Sequence, residues 1–355
     1  MFNREKLVLE TVHIRKREFI EQPKHIVYAA DQNYIKHIGT ALLSVLQNNT
    51  SPIHFHLLVS GSEGYDFNIF DQIETSNQNY AISVYHLNTE YFSTLQTTHY
   101  FTIAMYYRMS IPCLLKGIAH TALYLDTDVL CLGNIDDLFE IDISNSLIAA
   151  VPDAILYRAY IKQLNQFGFT DTEPYFNSGV ILFNIDKWND MAIDKILSEK
   201  MQAVEKQNFK LSCPDQDILN LACIGHVHWL SENFNWIHWH QKYSELIDNP
   251  NNIRLVHFVG HIKPWHQLGF HPAYDQYFKN SPWNNGYLEQ PLSTWLPFPN
   301  PKRKFRQAAK RLWKQGQKKQ AWAYYKEYLL RRINKRRYQA PSLGKIRPSE
   351  TIFPI

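Results

Sequence analysis

The chain has 355 residues, of which 45% are hydrophobic and 14% aromatic, so it can bury a large core in one main domain. The formal net charge of +4 hides an asymmetry: residues 301–340 contain fifteen lysines and arginines and one acid, which leaves the remainder at −10. No apolar run suits a signal peptide or a membrane span, and four scattered cysteines suit neither a disulfide scaffold nor a paired-cysteine zinc site, so we expect a cytoplasmic protein.

From Lys24 onwards, short apolar strands alternate with helices. The run HIVYAAD is typical of a buried strand, and the apolar spacing in residues 38–48 is typical of a helix with one buried face. This alternation predicts an α/β fold in which a mostly parallel central sheet is flanked by helices and ligands bind beyond the carboxyl ends of its strands. The predicted elements are strands at 25–31, 54–61, 81–87 and 121–130 and helices at 38–48, 67–77 and 106–115.

Composition divides the chain into three segments. Residues 1–23 carry scattered charges and are predicted to form an N-terminal leader or a short packing helix, and residues 24–283 are predicted to form the main domain. Prolines then precede a basic, aromatic stretch, so we interpret residues 284–355 as a proline-containing linker with a helical basic tail. Three interpretations of this tail stay open: an interfacial helix on an anionic membrane surface, a nucleic-acid arm, or a solvated helix docked on the main domain.

Two carboxylates follow the apolar strand that ends at Leu125. In Asp126-Thr127-Asp128, alternate residues of an extended chain would project to the same side, so both carboxylates can converge on one cation. A divalent ion bound by these oxygens can bridge to a diphosphate and neutralise its charge as it departs. The alternative is a solvated acid pair at a strand end.

A second polar cluster follows the apolar run IRLVHF. His257 would supply an imidazole, Gly260 would let the backbone approach a phosphate without a Cβ, and Lys263 would supply a positive charge for phosphate oxygens. An imidazole added to two carboxylates favours Mn²⁺ over Mg²⁺. The alternative for His257 is a hydrogen-bonded structural residue. The histidines between His226 and His266 show no spacing typical of a zinc site.

A third set of polar side chains lies beside apolar segments. In an α/β fold we expect sugar hydroxyls to be bound at such positions. Asp153 follows an apolar run, Asn177 precedes a predicted buried strand, and PDQD, which contains Asp215 and Gln216, is typical of a helix start. For Asp215 the alternative is a helix cap.

Six motifs occur in the order AADQNY, YRM, YLDTDVL, FNSG, PDQD and HFVGHIKPW. In this order and spacing the chain resembles glycosyltransferase family 8 over residues 24–283. The stretch from KPWH to HPAYDQYFKNSPW is similar to the subgroup of outer-core lipopolysaccharide hexosyltransferases, whose C-terminal part is also basic and aromatic.

The resemblance implies a GT-A fold and a retaining transfer of glucose or galactose from a UDP-hexose to a saccharide acceptor such as a lipid-linked lipopolysaccharide core, with an α linkage. It implies Mn²⁺ as the cofactor, with Mg²⁺ as the alternative ion. The implied donor-binding residues are Ala29, Asp31, Asn33, Tyr34, Arg108, Asp126, Thr127, Asp128, Gly260 and Lys263. The implied metal ligands are Asp126, Asp128 and His257, and the residues at the hexose, its acceptor or the reaction are Asp153, Asn177, Asp215 and Gln216.

Retention of the anomeric configuration is compatible with two mechanisms. One is double displacement through an enzyme nucleophile, and the other is front-face attack in which the departing diphosphate helps to deprotonate the acceptor. A neutral amide such as Gln216 is a poor nucleophile, which favours the front-face route. The alternative function is a non-catalytic nucleotide-sugar or saccharide binder on the same fold. A nucleotidyltransferase would need a glycine-rich triphosphate loop, and AADQNY is not one. We expect an anionic membrane surface rather than nucleic acid as the partner of the tail, which would place the protein on the inner face of the plasma membrane.

Overall fold

The structure is a computed structural model, and it describes residues 2–15, 21–97, 102–153, 158–170, 173–237, 252–260, 262–266, 268–284 and 302–333. The chain divides into two compact units, Met1–His257 and Phe258–Ile355. The domain limits at residues 24 and 284 stay a prediction. Residues 285–301 of the predicted linker and residues 334–355 of the predicted tail lie outside the described residues.

An eight-stranded sheet and a three-stranded sheet form the centre of the first unit. The strands are β1 (Val8–Arg15), β2 (Lys24–Asp31), β3 (Ile53–Ser60), β4 (Tyr80–Leu87), β5 (Thr121–Leu125), β6 (Val129–Cys131), β7 (Ile148–Pro152), β8 (Phe176–Asn184), β9 (Val227–Trp229), β10 (Trp236–Ile237) and β11 (Leu255–His257). The large sheet has the order β1-β4-β3-β2-β5-β8-β7-β9, and the small sheet has the order β10-β11-β6. In the large sheet the pairs β4-β3, β3-β2, β2-β5 and β7-β9 are parallel.

Helices connect these strands. They are α1 (Arg4–Leu7), α2 (Ile35–Asn48), α3 (Ile111–Leu114), α4 (Asp136–Glu140), α5 (Arg158–Ile161), α6 (Ile185–Asp190), α7 (Ile193–Lys206) and α8 (Pro214–Ala222) in the first unit. The 3₁₀ segments are Phe67–Gln72, Thr89–Phe92, Ile103–Ser110, Lys162–Phe167 and Glu232–Phe234. The predicted α/β fold with a mostly parallel sheet is therefore confirmed.

The central parallel strands are continuous apolar runs because the sheet is covered on both faces. In β2 the residues from Ile26 to Ala30 are buried, and α2 buries nearly its whole length. The pairing of β2 with β3 is in register from Lys24 with Ile53 to Asp31 with Ser60, and β5 pairs with the other side of β2. Parallel pairing therefore brings the carboxyl ends of β2, β3 and β5 to one edge of the sheet.

The small sheet joins two segments that are far apart in sequence. Strand β11 pairs antiparallel with β6, and this register sets His257 opposite Val129, the residue that follows Asp128. Strand β10 pairs with β11 on its other side, with Ile237 opposite His257. These two short pairings thus bring His257 to the end of β5, which the chain reaches 132 residues earlier.

The second unit contains the helices α9 (Pro272–Lys279), α10 (Lys302–Lys314) and α11 (Lys318–Ile333). Gly316 has a φ of +78° and ends α10, because this left-handed conformation favours glycine. The buried residues that pack together here are Leu268, Phe305, Ala308, Ala309, Leu312, Ala321 and Tyr324. The predicted helical character of the basic tail is confirmed for residues 302–333, as two helices and not one.

Three local predictions differ from the structure, besides the strand predicted at 121–130, which a turn divides into β5 and β6. The helix predicted at 67–77 is the shorter 3₁₀ segment Phe67–Gln72, and the one predicted at 106–115 is the 3₁₀ segment Ile103–Ser110 followed by α3. Within the predicted leader, β1 pairs antiparallel with β4 and forms an edge of the large sheet. Among the helices of the described residues, none has both the length and the hydropathy that crossing a membrane requires.

Candidate active site

The Asp126-Thr127-Asp128 sequence forms a turn between the two sheets. Strand β5 ends at Leu125, and the Val129 N–H donates to the Asp126 carbonyl oxygen at 3.0 Å as the chain enters β6. The expectation that alternation along an extended strand aligns the two carboxylates is therefore wrong. They converge because a tight turn reverses the chain, with the half-buried Thr127 at its centre.

His257 completes a three-residue cluster with these acids. Its Nε2 lies 3.4 Å from Oδ1 of Asp128 and 3.7 Å from Oδ2 of Asp126. Asp128 and His257 are buried, whereas the side chain of Asp126 is 23% exposed and leaves one side open. One donor atom from each residue lies within 4.8 Å of the others, and two carboxylates with one imidazole are a donor set that suits Mn²⁺. The predicted ligands are thus together and fit a divalent ion.

Gly179 permits this close approach. It lies in β8 beside β5, and its carbonyl oxygen accepts the Asp126 N–H at 2.8 Å. A Cβ built on Gly179 would lie 2.2 Å from Cε1 of His257 and 2.8 Å from Oδ2 of Asp126. Any larger residue would therefore displace the imidazole or the carboxylate.

A hydrogen bond to one side-chain amide, which a second amide holds in place, orients the His257 ring. Oδ1 of Asn177 accepts the Gly179 N–H at 3.0 Å and also accepts Nδ2 of Asn235 at 2.9 Å. Asn235 consequently turns its Oδ1 towards Nδ1 of His257, 3.0 Å away, so that nitrogen carries the proton and donates it. In the neutral ring, Nε2 of His257 then carries the lone pair and faces the two carboxylates, which is the tautomer that binds a metal.

Arg108 connects the carboxylates of the site. Its guanidinium donates to Oδ1 of Asp126 at 2.8 Å and to the carbonyl oxygen of Ser178 at 2.6 Å, and its Nε lies 3.2 Å from Oδ2 of Asp215. Burial disfavours the charge of Arg108, but Asp126, Tyr124 and Asp215 outweigh it and raise the pKa of the guanidinium. Burial also raises the pKa of Asp215, which Arg108 opposes. The hydroxyl of Tyr124 donates to the same Asp126 oxygen at 2.6 Å.

Gln216 is fixed from both ends of its amide. Its Oε1 accepts the Ser178 N–H at 2.8 Å and the Ser178 hydroxyl at 3.2 Å, while its Nε2 donates to Oδ2 of Asp153 at 3.1 Å. The same Asp153 oxygen accepts Nδ2 of Asn177 at 3.0 Å. Asp153, Asn177, Asp215 and Gln216 therefore belong to one hydrogen-bonded group with Ser178 and Arg108. Their roles towards a sugar stay a prediction.

The helix that carries Asp215 and Gln216 is anchored by Asp217. Its buried carboxylate accepts the hydroxyls of Tyr160 at 2.5 Å and Tyr175 at 2.6 Å, and the N–H of Cys213 at 2.9 Å. Burial raises the pKa of Asp217 to about 7. Cys213 occupies the N-cap position of α8, and Asp215 follows inside the first turn.

The predicted nucleotide-binding residues lie at the end of β2. Ala29 is buried within the strand, and Asp31 ends it. Oδ1 of Asp31 accepts the Asn33 N–H at 2.9 Å, and its carbonyl oxygen accepts the Tyr34 N–H at 3.0 Å, so these residues form a turn into α2. In the second unit, Gly260 has a φ of +94° and Lys263 Nζ donates to the Phe258 carbonyl oxygen at 3.2 Å. The contacts of all these residues with a donor stay a prediction.

Three residues of the site were not predicted to act in it. Asn235 orients His257, Tyr124 contacts Asp126, and Ser178 contacts both Arg108 and Gln216. Tyr124 and Ser178 lie inside recognised motifs, Tyr124 two residues before Asp126 and Ser178 directly after Asn177. A hydroxyl so close in sequence to a carboxylate or an amide could have been predicted to bond within the site. The sequence gives no signal for Asn235, because its role depends on its position directly before β10. The sequence alone does not predict that strand.

Comparison with known proteins agrees with these features. A family profile described as "Glycosyl transferase family 8" matches residues 25–269. Lipopolysaccharide 1,2-glucosyltransferase of Escherichia coli K12 is 28% identical over 74% of this chain and 79% of its own. Lipopolysaccharide 1,3-galactosyltransferase of Salmonella typhimurium LT2 is 27% identical over 93% of this chain and 97% of its own. The crystal structure of galactosyltransferase LgtC in complex with donor and acceptor sugar analogs superposes with a TM-score of 0.60 and 25% identity, over 72% of this chain and 95% of LgtC.

Proposed function

We propose a function on the premise that this chain belongs to glycosyltransferase family 8 and is a glycosyltransferase of the GT-A fold. It transfers glucose or galactose from a UDP-sugar to a lipopolysaccharide-type acceptor. The transfer retains the anomeric configuration, forms an α linkage and depends on Mn²⁺. The acceptor class is supported by two relatives that are lipopolysaccharide hexosyltransferases and resemble this chain over most of their length. The donor class is supported by the motif residues at the carboxyl ends of β2 and β5, where an α/β sheet binds its ligands.

One observation carries the proposal: Asp126, Asp128 and His257 converge with donor atoms within 4.8 Å of one another. These three residues would hold a divalent ion. The chemistry that such an ion supplies when bound is charge neutralisation at a departing diphosphate. Arg108 holds Asp126 at one oxygen, and Asn235 presents the unprotonated nitrogen of His257, so the ligands are oriented before any donor arrives.

The hydrogen bonding of Gln216 supports front-face attack. Its amide oxygen already accepts two hydrogen bonds from Ser178, so its lone pairs are engaged and an already weak nucleophile is weakened further. Asp215 is paired with the Arg108 guanidinium, which lowers its nucleophilicity in the same way. We expect mass spectrometry of the enzyme with donor alone to find no glycosyl adduct. A trapped adduct on Asp215 or Asp153 would establish double displacement.

Release of UDP from a panel of UDP-sugars tests the reaction. With Mn²⁺ we expect turnover with UDP-glucose or UDP-galactose, and Asp128→Asn should reduce it by at least about 100-fold, because the carboxylate that it replaces is a metal ligand. Asp190→Asn changes an exposed acid of α6 in the same way and should leave activity unchanged. Equal activity in Asp128→Asn and Asp190→Asn would mean that this cluster does not serve the reaction.

The tail helices support a peripheral membrane location at the cytoplasmic face. Four large apolar side chains are exposed on basic helices: Trp313, Trp322, Tyr325 and Leu330. Aromatic rings at headgroup level beside lysines and arginines bind anionic bilayers. In the full chain, Trp313→Ser with Trp322→Ser should reduce co-sedimentation with vesicles that contain phosphatidylglycerol, whereas the exposed Ile118→Ser should not. Equal co-sedimentation of all three proteins would exclude this role.

A further inference from the structure

Three histidines lie together near the amino ends of β2 and β3, away from the Asp126 turn. His25 and His54 are each the second residue of their strand and are paired in register, and His56 follows two residues later on the same face. Asp31 lies six positions after His25 in β2, which is about 20 Å along the strand. The cluster is therefore distinct from the site at the carboxyl ends.

The rings are close enough to share one ion. Nδ1 of His25 lies 2.9 Å from Nε2 of His56, and the ring centroids of His54 and His56 are 4.1 Å apart. One nitrogen from each ring lies within 4.8 Å of the others. Nitrogen ligands at about 2.0–2.1 Å from a tetrahedral ion are about 3.3 Å apart, so His25 and His56 need to separate by only about 0.4 Å.

Neighbouring hydroxyls on β4 orient two of the rings. Tyr85 OH lies 3.1 Å from Nδ1 of His56, and Ser83 Oγ lies 2.8 Å from Nε2 of His54. When Nδ1 of His56 donates to Tyr85, its Nε2 is the unprotonated nitrogen, as a metal ligand requires, and it accepts the hydrogen bond from Nδ1 of His25. Burial lowers the pKa of His25 and of His54 to about 4, so both rings are neutral at pH 7. His56 is fully buried, while His25 and His54 are half-buried and leave a route from solvent.

We propose that His25, His54 and His56 form a second metal site, which binds a borderline transition-metal ion of the Zn²⁺ class and clamps β2 to β3. The donor set is three imidazole nitrogens without a carboxylate, which suits Zn²⁺ or Co²⁺ and not the oxygen-preferring Mg²⁺ or Mn²⁺. Binding replaces the hydrogen bond between His25 and His56: the ion takes both lone pairs, and the shared proton moves to the other nitrogen of its ring. Because the ion binds the folded state, it stabilises that state by mass action.

The test is a Co²⁺ titration of the full chain, followed by its visible absorption, in the Asp128→Asn background, which lacks one ligand of the other metal site. One equivalent of four-coordinate Co²⁺ is expected. His25→Gln should weaken this binding by at least about 100-fold, and His228→Gln, which changes a half-buried histidine of β9, should not change it. Absence of bound Co²⁺ in the parent, or equal affinity in His25→Gln, would overturn the proposal.

Arg4 offers a variant whose effect cannot arise from misfolding. Its positive charge contributes to the lowered pKa of His56 and opposes a cation in the same place. Arg4→Gln should therefore tighten Co²⁺ binding by about threefold to tenfold. Unchanged affinity would place the ion away from these rings, and would count against the site even if His25→Gln failed to fold.

Discussion

Replacement of Gly179 by alanine tests the geometry of the metal cluster with a single methyl group. That Cβ would lie 2.2 Å from Cε1 of His257, and ordinary carbon contacts begin near 3.4 Å, so the ring must retreat by about 1 Å. A displacement of this size exceeds the tolerance of metal–ligand distances, about 0.2 Å, and typically costs about 100-fold in rate. We expect Gly179→Ala to bind Mn²⁺ at least about 10-fold more weakly and to release UDP about 100-fold more slowly.

The assay pairs Mn²⁺ binding, measured by electron paramagnetic resonance, with UDP release at saturating Mn²⁺. Gly133→Ala is the matched control, because its Cβ would meet Cδ of the flexible Arg254 side chain at 3.0 Å and that side chain can move aside. Circular dichroism and thermal unfolding check that both variants are folded. A folded Gly179→Ala enzyme with Mn²⁺ affinity and rate within about threefold of the parent would refute the close approach of β8 to His257.

Two further substitutions probe residues behind the site. Asn235→Ala removes the acceptor that fixes the His257 tautomer, and should weaken Mn²⁺ binding by about 10-fold to 100-fold while leaving the fold intact; unchanged binding would show that the ring needs no such partner. Asp217 has a folded-state pKa raised from 3.8 to about 7, so the folded state holds its proton more tightly and the free energy of unfolding should fall, by up to about 4 kcal/mol, as pH rises from 4 to 7. Urea unfolding at pH 5 and pH 7.5 should show about 2.5 kcal/mol of that fall, and Asp217→Asn should flatten it; an equal slope in both proteins would assign the pH dependence to other groups.

Local patterns predicted the elements near the site but not all of its geometry. Buried strands such as β2 and β3, and the amphipathic α2, follow from apolar periodicity, which acts within one segment. The helix predicted at 67–77 is instead a 3₁₀ segment of six residues, which is long enough to bury both Phe67 and Phe70. The edge strand β1 also escaped prediction, because its charged residues suit an exposed edge and give no apolar signal.

Pairing between strands that are distant in sequence determines the rest of the site's geometry. The motifs named Asp126, Asp128 and His257, but the contact among them depends on three residue pairs between β6 and β11, which no local pattern encodes. Asn235 was missed for the same reason, since only the pairing of β10 with β11 brings it to His257. His25 and His54 are 29 residues apart in sequence, and they become neighbours only through the β2–β3 register.

The proposed reaction depends on the binding of one divalent ion by Asp126, Asp128 and His257. Electron spin-echo spectroscopy of the Mn²⁺-loaded enzyme tests this binding, because the method detects a nitrogen bonded to the ion. We expect coupling to one imidazole nitrogen in the parent and its loss in His257→Gln, with Mn²⁺ still bound weakly by the carboxylates. Bound Mn²⁺ without nitrogen coupling in the parent, or the same coupling in His257→Gln, would show that His257 is not a ligand of the ion.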